Sequence, residues 1–283
     1  MSDTRAENDL TAAITTPDQP FDTRPERLAP LPNLACGTHR GHVRTRNEDA
    51  CYVGEIASND SCEKPGYILA VADGVGGLPA GDVASDVAIT SAVGHLQNSL
   101  PDSMHSSTGT AQAVRHALLH AHSTVIDKSL EESARTLTGM ACGIVLACAY
   151  GDRLHLAHSG DVRVYRLHNC NLERLTRDHS VVEETMGAGD ADAAEHPWRH
   201  VITQALGRQE TFAPESRTIE LDPGDRVLIC TDGVWSSIGP NTISSCLEQF
   251  PADRVIDELE KMTLANGGLD NLASAAYIHA QSV

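Results

Sequence analysis

The chain has 283 residues, 41% of them hydrophobic, and a formal charge of −18, values that fit a soluble protein with one large core or two small ones. The negative balance argues against nucleic acid, because phosphate backbones select basic surfaces. Apolar stretches such as Ile144–Tyr150 are too short to span a bilayer. Met1–Leu10 is polar and acidic and lacks the apolar core of a secretory leader, so a cytoplasmic protein without a membrane partner is expected.

Residues 1–34 carry Thr-Pro, Gln-Pro, Arg-Pro, Ala-Pro and Leu-Pro steps without apolar periodicity and read as a disordered tail; residues 35–283 read as one domain. Short strands are predicted at Cys36–Val43, Cys51–Ile56 and Tyr67–Ala72. Helices follow near Pro79–Leu96 and Thr110–Ser129, the first with Val83, Val87, Ala88 and Val93 at helical spacing. A second strand block covers Ala141–Tyr150, Arg153–His158, Val162–Leu167 and Leu172–Leu175, with a hairpin turn at Tyr150-Gly151-Asp152-Arg153. Residues 178–200 are polar and read as a helical or mobile flap. Strands resume at Glu215–Leu221 and Arg226–Cys230 around the turn Asp222-Pro223-Gly224-Asp225. A helix at Pro251–Leu264 stops at Asn266-Gly267-Gly268, and Ala273–Ala280 is the last strand. Strand blocks alternating with helices predict a layered α+β fold with largely antiparallel sheets.

Eight cysteines without a C-x-x-C pair read as reduced, mostly buried thiols, and the fourteen histidines form no zinc spacing. Chemistry concentrates instead in acidic motifs at the ends of apolar runs: Arg44-Thr45-Arg46-Asn47-Glu48-Asp49, Ala72-Asp73-Gly74, Thr231-Asp232-Gly233 and Asp270-Asn271. An Asp-Gly step leaving a buried strand aims a carboxylate at the rim of a sheet, and Gly lets the backbone come close to a ligand. Several carboxylates without His or Cys between them suit hard divalent cations such as Mg²⁺ and Mn²⁺. A binuclear metal hydrolase is expected.

On these residues the chain resembles the PPM-type, protein phosphatase 2C-like family of metal-dependent serine/threonine phosphatases, in its bacterial branch. The R-x-x-N-E-D, A-D-G-x-G-G, H-x-G-D-x-R, L-T-x-D-H-S, C-[ST]-D-G and D-N motifs appear in family order as Arg44–Asp49, Ala72–Gly77, His158–Arg163, Leu175–Ser180, Cys230–Gly233 and Asp270-Asn271. Two further family segments, His196-Pro197 and Ile202–Gly207, lie between the fourth and fifth of these. Any one Asp-Gly alone is more often an ordinary turn; the ordered set is what carries weight.

The resemblance implies a four-layer α-β-β-α sandwich, two central sheets flanked by helix pairs. It implies two Mn²⁺ or Mg²⁺ ions, the first on Asp73, Asp232 and Asp270, the second on Asp73 and the Gly74 carbonyl. A third, weaker ion would bind Asp161 and Asp232. Glu48 and Asp49 would orient metal-held waters, Arg44 would hold the substrate phosphate, and Arg44, Asp73 and Asp232 would form the catalytic set. The implied reaction is hydrolysis of phosphoserine and phosphothreonine in proteins by a water held between the ions, in a monomer whose partners include a cognate Ser/Thr kinase.

The chain departs from the family pattern at Met140-Ala141-Cys142-Gly143, where G-T-T is usual, at Val162 in place of a hydroxyl residue, and at His200 in the flap. Val75 stands where animal relatives carry a proposed general-acid histidine, which leaves the proton donor unassigned. Two other readings stay open on the sequence: a catalytically weak scaffold that binds a phosphoprotein or kinase, and a hydrolase of small phosphorylated metabolites.

Overall fold

Tyr67–Ala72, the most continuous of the early apolar runs, lies inside a strand covered on both faces, which is why it lacks a polar alternation. The computed structural model describes residues 33–56, 66–75, 80–103, 106–136, 139–187, 196, 198, 201–208 and 212–280. In chain order these form β1 (Leu34–His39), β2 (Asp49–Ile56), β3 (Gly66–Gly74), α1 (Gly81–Ser103), α2 (Ser107–Thr136), β4 (Cys142–Tyr150), β5 (Arg153–Ser159), β6 (Arg163–His168) and β7 (Asn171–Arg174). There follow α3 (Val181–Met186), β8 (Glu215–Glu220), β9 (Arg226–Cys230), α4 (Asp232–Gln249), α5 (Ala252–Ala265) and β10 (Leu272–Ile278).

The described strands build two five-stranded sheets, β1-β10-β9-β6-β7 and β2-β3-β4-β5-β8, with every pairing antiparallel. Because side chains alternate along a strand, each central strand feeds two cores. Ile68, Ala70 and Ala72 of β3 pack against α1 and α2, whereas Leu69 and Val71 face the other sheet. On β9, Val227 and Ile229 meet that same inter-sheet core, while Leu228 and Cys230 pack under α4 and α5. The result is the expected helix–sheet–sheet–helix sandwich. No helix among the described residues is long and apolar enough to cross a membrane.

Two features of the fold differ from expectation. β1 ends at His39 and does not run to Val43: at Gly41 the backbone turns at φ +78°, and a Cβ there would lie 2.2 Å from the Asp270 carbonyl. Arg44 is therefore on an exposed loop. Helix α4 was not foreseen, because Gly239-Pro240 reads as a breaker. Gly239 does break it (φ 71°, ψ 167°), but both halves bury apolar residues on the sheet, Val234 and Trp235 before the kink and Ile243, Cys246 and Leu247 after it. In the flap, Val181–Met186 form one short helix with Ser180 as N-cap and Gly187 as left-handed C-cap. The tail expected over residues 1–34 lies almost wholly, and His200 entirely, outside the described residues.

Candidate metal centre

The acidic motifs meet at one end of the sandwich because of strand register. Asp73 at the end of β3 pairs with Asp49 of β2 on one side and with Gly143 of β4 on the other. β6 pairs with β9 at Arg163 and Cys230, so Asp161 and Asp232 each lie two residues beyond the same end of that pair. Asp270 closes the group just before β10. Seven of the eight sequence-predicted residues line one pocket of about 370 Å³: Arg44, Glu48, Asp73, Gly74, Asp161, Asp232 and Asp270. Asp49 is the exception. It is 2% exposed, directly behind Asp73, and its Oδ2 accepts a hydrogen bond of 2.8 Å from the Thr231 hydroxyl.

Backbone contacts lock the walls. Gly74 N donates to the Glu48 carbonyl (3.0 Å), and Ser85 Oγ of α1 donates to the same oxygen (2.7 Å). The Asn271 side chain accepts from Glu48 N (2.9 Å) and donates to the Arg40 and Arg46 carbonyls (2.8 Å each). Asn271 and Thr231 were visible as motif residues, but the sequence assigned neither a role. Gly143, Val75 and Ile202 complete the lining beside Asn271. Of the departures, Val75 and Gly143 line the pocket, whereas two others fall behind it: Cys142 packs toward α1, with Sγ 3.8 Å from the Ala84 carbonyl, and Val162 joins the inter-sheet core.

Charge is badly unbalanced in this pocket. Arg44 is its one cationic lining side chain among the described residues, and it is bound to Asp270 at 2.7 Å. Burial, then the charges of Asp49, Asp232, Asp161 and Asp270, push the Asp73 carboxyl well above the usual range. Burial and the charges of Asp232 and Asp270 do the same to Asp49, against the Thr231 hydrogen bond that favours its ionised form. Burial, Asp232 and Asp178 push Asp161 up to about 8. Crowded carboxylates with oxygen donors and too little positive charge are what hard divalent cations neutralise. The donor set fits Mg²⁺ or Mn²⁺.

A second cluster, His158, His179 and Glu215, has metal-like spacing. Its hydrogen bonds favour a structural use instead. His158 Nε2 lies 2.9 Å from the Arg177 carbonyl, which only accepts, so this nitrogen donates. His179 Nδ1 accepts from Gly160 N at 3.2 Å, leaving the proton of the neutral ring on Nε2, toward Glu215. Neither Nε2 lone pair is free, and the stacked rings (4.9 Å) act as a buttress beneath the Asp161 loop.

Residues 36–272 match the family model of protein phosphatase 2C. The chain belongs to that family. Within it, the serine/threonine protein phosphatase PstP of Mycobacterium tuberculosis is 32% identical over 249 residues, 87% of this chain but 45% of the relative, so this chain spans less than half of PstP. The serine/threonine phosphatase stp of Listeria welshimeri is 31% identical over 247 residues, covering 83% of this chain and 91% of the relative. The crystal structure of M. tuberculosis PstP/Ppp superposes with a TM-score of 0.74 at 28% identity, over 88% of this chain and 98% of that one. The PstP catalytic domain in complex with two manganese ions gives a TM-score of 0.70 at 27% identity, over 87% and 97%. Protein phosphatase 2C membership agrees with the antiparallel four-layer sandwich and with the ordered acidic motifs.

Proposed function

We propose that this chain is a Mn²⁺- or Mg²⁺-dependent phosphatase of phosphoserine and phosphothreonine in proteins. The observation that carries this reading is the convergence of Asp73, Asp161, Asp232 and Asp270 on one pocket whose lining cation is Arg44. Asp73, Asp232 and Asp270 would hold one ion, Asp73 with the Gly74 carbonyl a second, and Asp161 with Asp232 a weaker third. When bound, such ions lower the pKa of a shared water and offset the charge of the phosphate.

The protein's own groups do the rest. Glu48 lines the pocket, where it would order water near the carboxylates, and Asp49, to which the resemblance gives the same task, braces Thr231 from behind. Arg44 is half exposed at the mouth and held by Asp270. With Asp270 engaged as a ligand, the Arg44 guanidinium would be available to phosphate, two of whose oxygens its planar fork matches. The PstP and stp relatives support a protein substrate over a small metabolite and over a scaffold without activity. Phosphoserine and phosphothreonine in proteins are made by kinases, so we place the chain opposite a Ser/Thr kinase in cytoplasmic signal transduction.

Hydrolysis of a phosphothreonine peptide should require Mn²⁺ or Mg²⁺, stop in EDTA, return on adding metal back, and be poorly supported by zinc, for which the described pocket lining offers no His or Cys ligand. Full turnover by protein that elemental analysis shows to be metal-free would sink the proposal.

A further inference from the structure

Asp161 sits on the crossing from β5 to β6, where the chain passes from one sheet to the other, so no strand ladder fixes it. What fixes it comes from α4. The Trp235 indole Nε1 donates to the Asp161 main-chain carbonyl at 3.2 Å in a buried contact. The Arg163 guanidinium, 1% exposed, lies 3.5 Å from the centroid of the same ring. Asp178 grips Arg163 with both oxygens, at 2.7 Å to Nη2 and at 3.0 and 3.1 Å to Nε.

Trp235 is also three residues beyond Asp232, in the first turn of α4. One helical turn therefore sets two carboxylates: Asp232 directly, and Asp161 through the indole.

We infer that Trp235 is a positioning residue, which holds Asp161 at the spacing from Asp232 that a shared divalent cation needs; this rests on the reading of Asp161 as a ligand. A tryptophan that only filled core would lose stability on replacement by phenylalanine, which keeps an aromatic ring near Arg163 but removes the N–H and part of the bicyclic ring, without altering the Mg²⁺ dependence of the rate. Here the N–H has a specific acceptor, and without it the Asp161 carbonyl loses this buried donor. The chain has two tryptophans, and the other, Trp198, is 61% exposed. Replacing Trp198 leaves Trp235 as the lone tryptophan, against the Asp161 loop.

The test compares Trp235→Phe, Asp161→Asn and the double variant in the full chain, on a phosphothreonine peptide across a Mg²⁺ series. Trp235→Phe should lower kcat about tenfold and raise the Mg²⁺ needed for half-maximal rate. Peptide KM should stay near wild type, melting should fall by only a few degrees, and the double variant should be no worse than Asp161→Asn alone. In a Trp198→Phe background, Mg²⁺ titration should change Trp235 emission, and adding Asp161→Asn should abolish the change. This arm needs no turnover. Wild-type kcat and Mg²⁺ dependence in Trp235→Phe, with Asp161→Asn impaired, overturns the role of Trp235 and leaves Asp161 as a ligand. Normal rate and Mg²⁺ dependence in Asp161→Asn overturns both. A flat emission titration over the Mg²⁺ range in which calorimetry shows binding also overturns the inference.

Discussion

Raising the pH of the metal-free protein should weaken it, against the usual trend for carboxylates held in ion pairs. Burial and the charges of Asp232 and Asp178 push the Asp161 carboxyl up to about 8, whereas in an unfolded chain it titrates near ~3.9. The native state binds that proton more tightly, so the contribution is full at low pH and is lost as pH rises through the native pKa. Between pH 7 and 8 the unfolded carboxyl is ionised throughout, while the native one falls from about nine-tenths to about half protonated, a loss of about 1 kcal/mol. Asp49 and Asp73, both raised by burial and neighbouring charge, act in the same direction. His158 and His179, lowered by burial, lose their protons below this window and act in the opposite sense, so pH 7 is the proper starting point. In a domain of this size ~1 kcal/mol moves Tm by roughly 2–4 °C. Thermal melts in EDTA at pH 7 and 8 should show Asp161→Asn losing that much less than wild type over the interval. Equal slopes in the two proteins would refute the reasoning.

Arg44→Ala should mainly raise KM for a phosphopeptide, by about tenfold, with a smaller loss in kcat, since it removes a phosphate contact and leaves the carboxylates in place; steady-state kinetics at saturating Mn²⁺ would show it, and an unchanged KM would remove Arg44 from the phosphate site. Gly160→Ala should cost about 3 kcal/mol in urea unfolding, because φ is +93° and a Cβ would lie 2.6 Å from Gly143 Cα. Gly151→Ala, at φ +60° with nothing within 4 Å, should cost only about 1 kcal/mol, and equal losses at the two sites would show that the contact with Gly143 is harmless.

The carboxylates were legible because each ends an apolar run or stands in a short local motif, and local pattern is what a sequence displays. Asp73 after Tyr67–Ala72 and Asp232 just after Val227–Cys230 are the clearest examples. The groups that hold them were not legible, because their partners are distant: Thr231 with Asp49 is 182 residues apart, Trp235 with Asp161 is 74, and Asn271 with Glu48 is 223. Helix α4 was hidden by Gly239-Pro240, a local signal that tertiary burial overrides. The end of β1 was hidden by the reverse effect. His42 and Val43 continue the chain plausibly as strand, but the close approach of Gly41 to the Asp270 carbonyl requires a turn.

The pocket straddles the seam of the sandwich. Asp49 and Asp73 belong to one sheet, Asp232 and Asp270 flank strands of the other, and Asp161 lies on the bridge between them. Neither sheet alone can assemble the carboxylates. The apolar layer of Leu69, Val71, Val227 and Ile229 is thus more than filling: its thickness is the spacer that gauges how far apart the two halves of the carboxylate set stand. A methylene added or removed there, far from any charge, would retune the site by tilting one sheet on the other, so the cation affinity we propose would be a readout of how well the two sheets are docked.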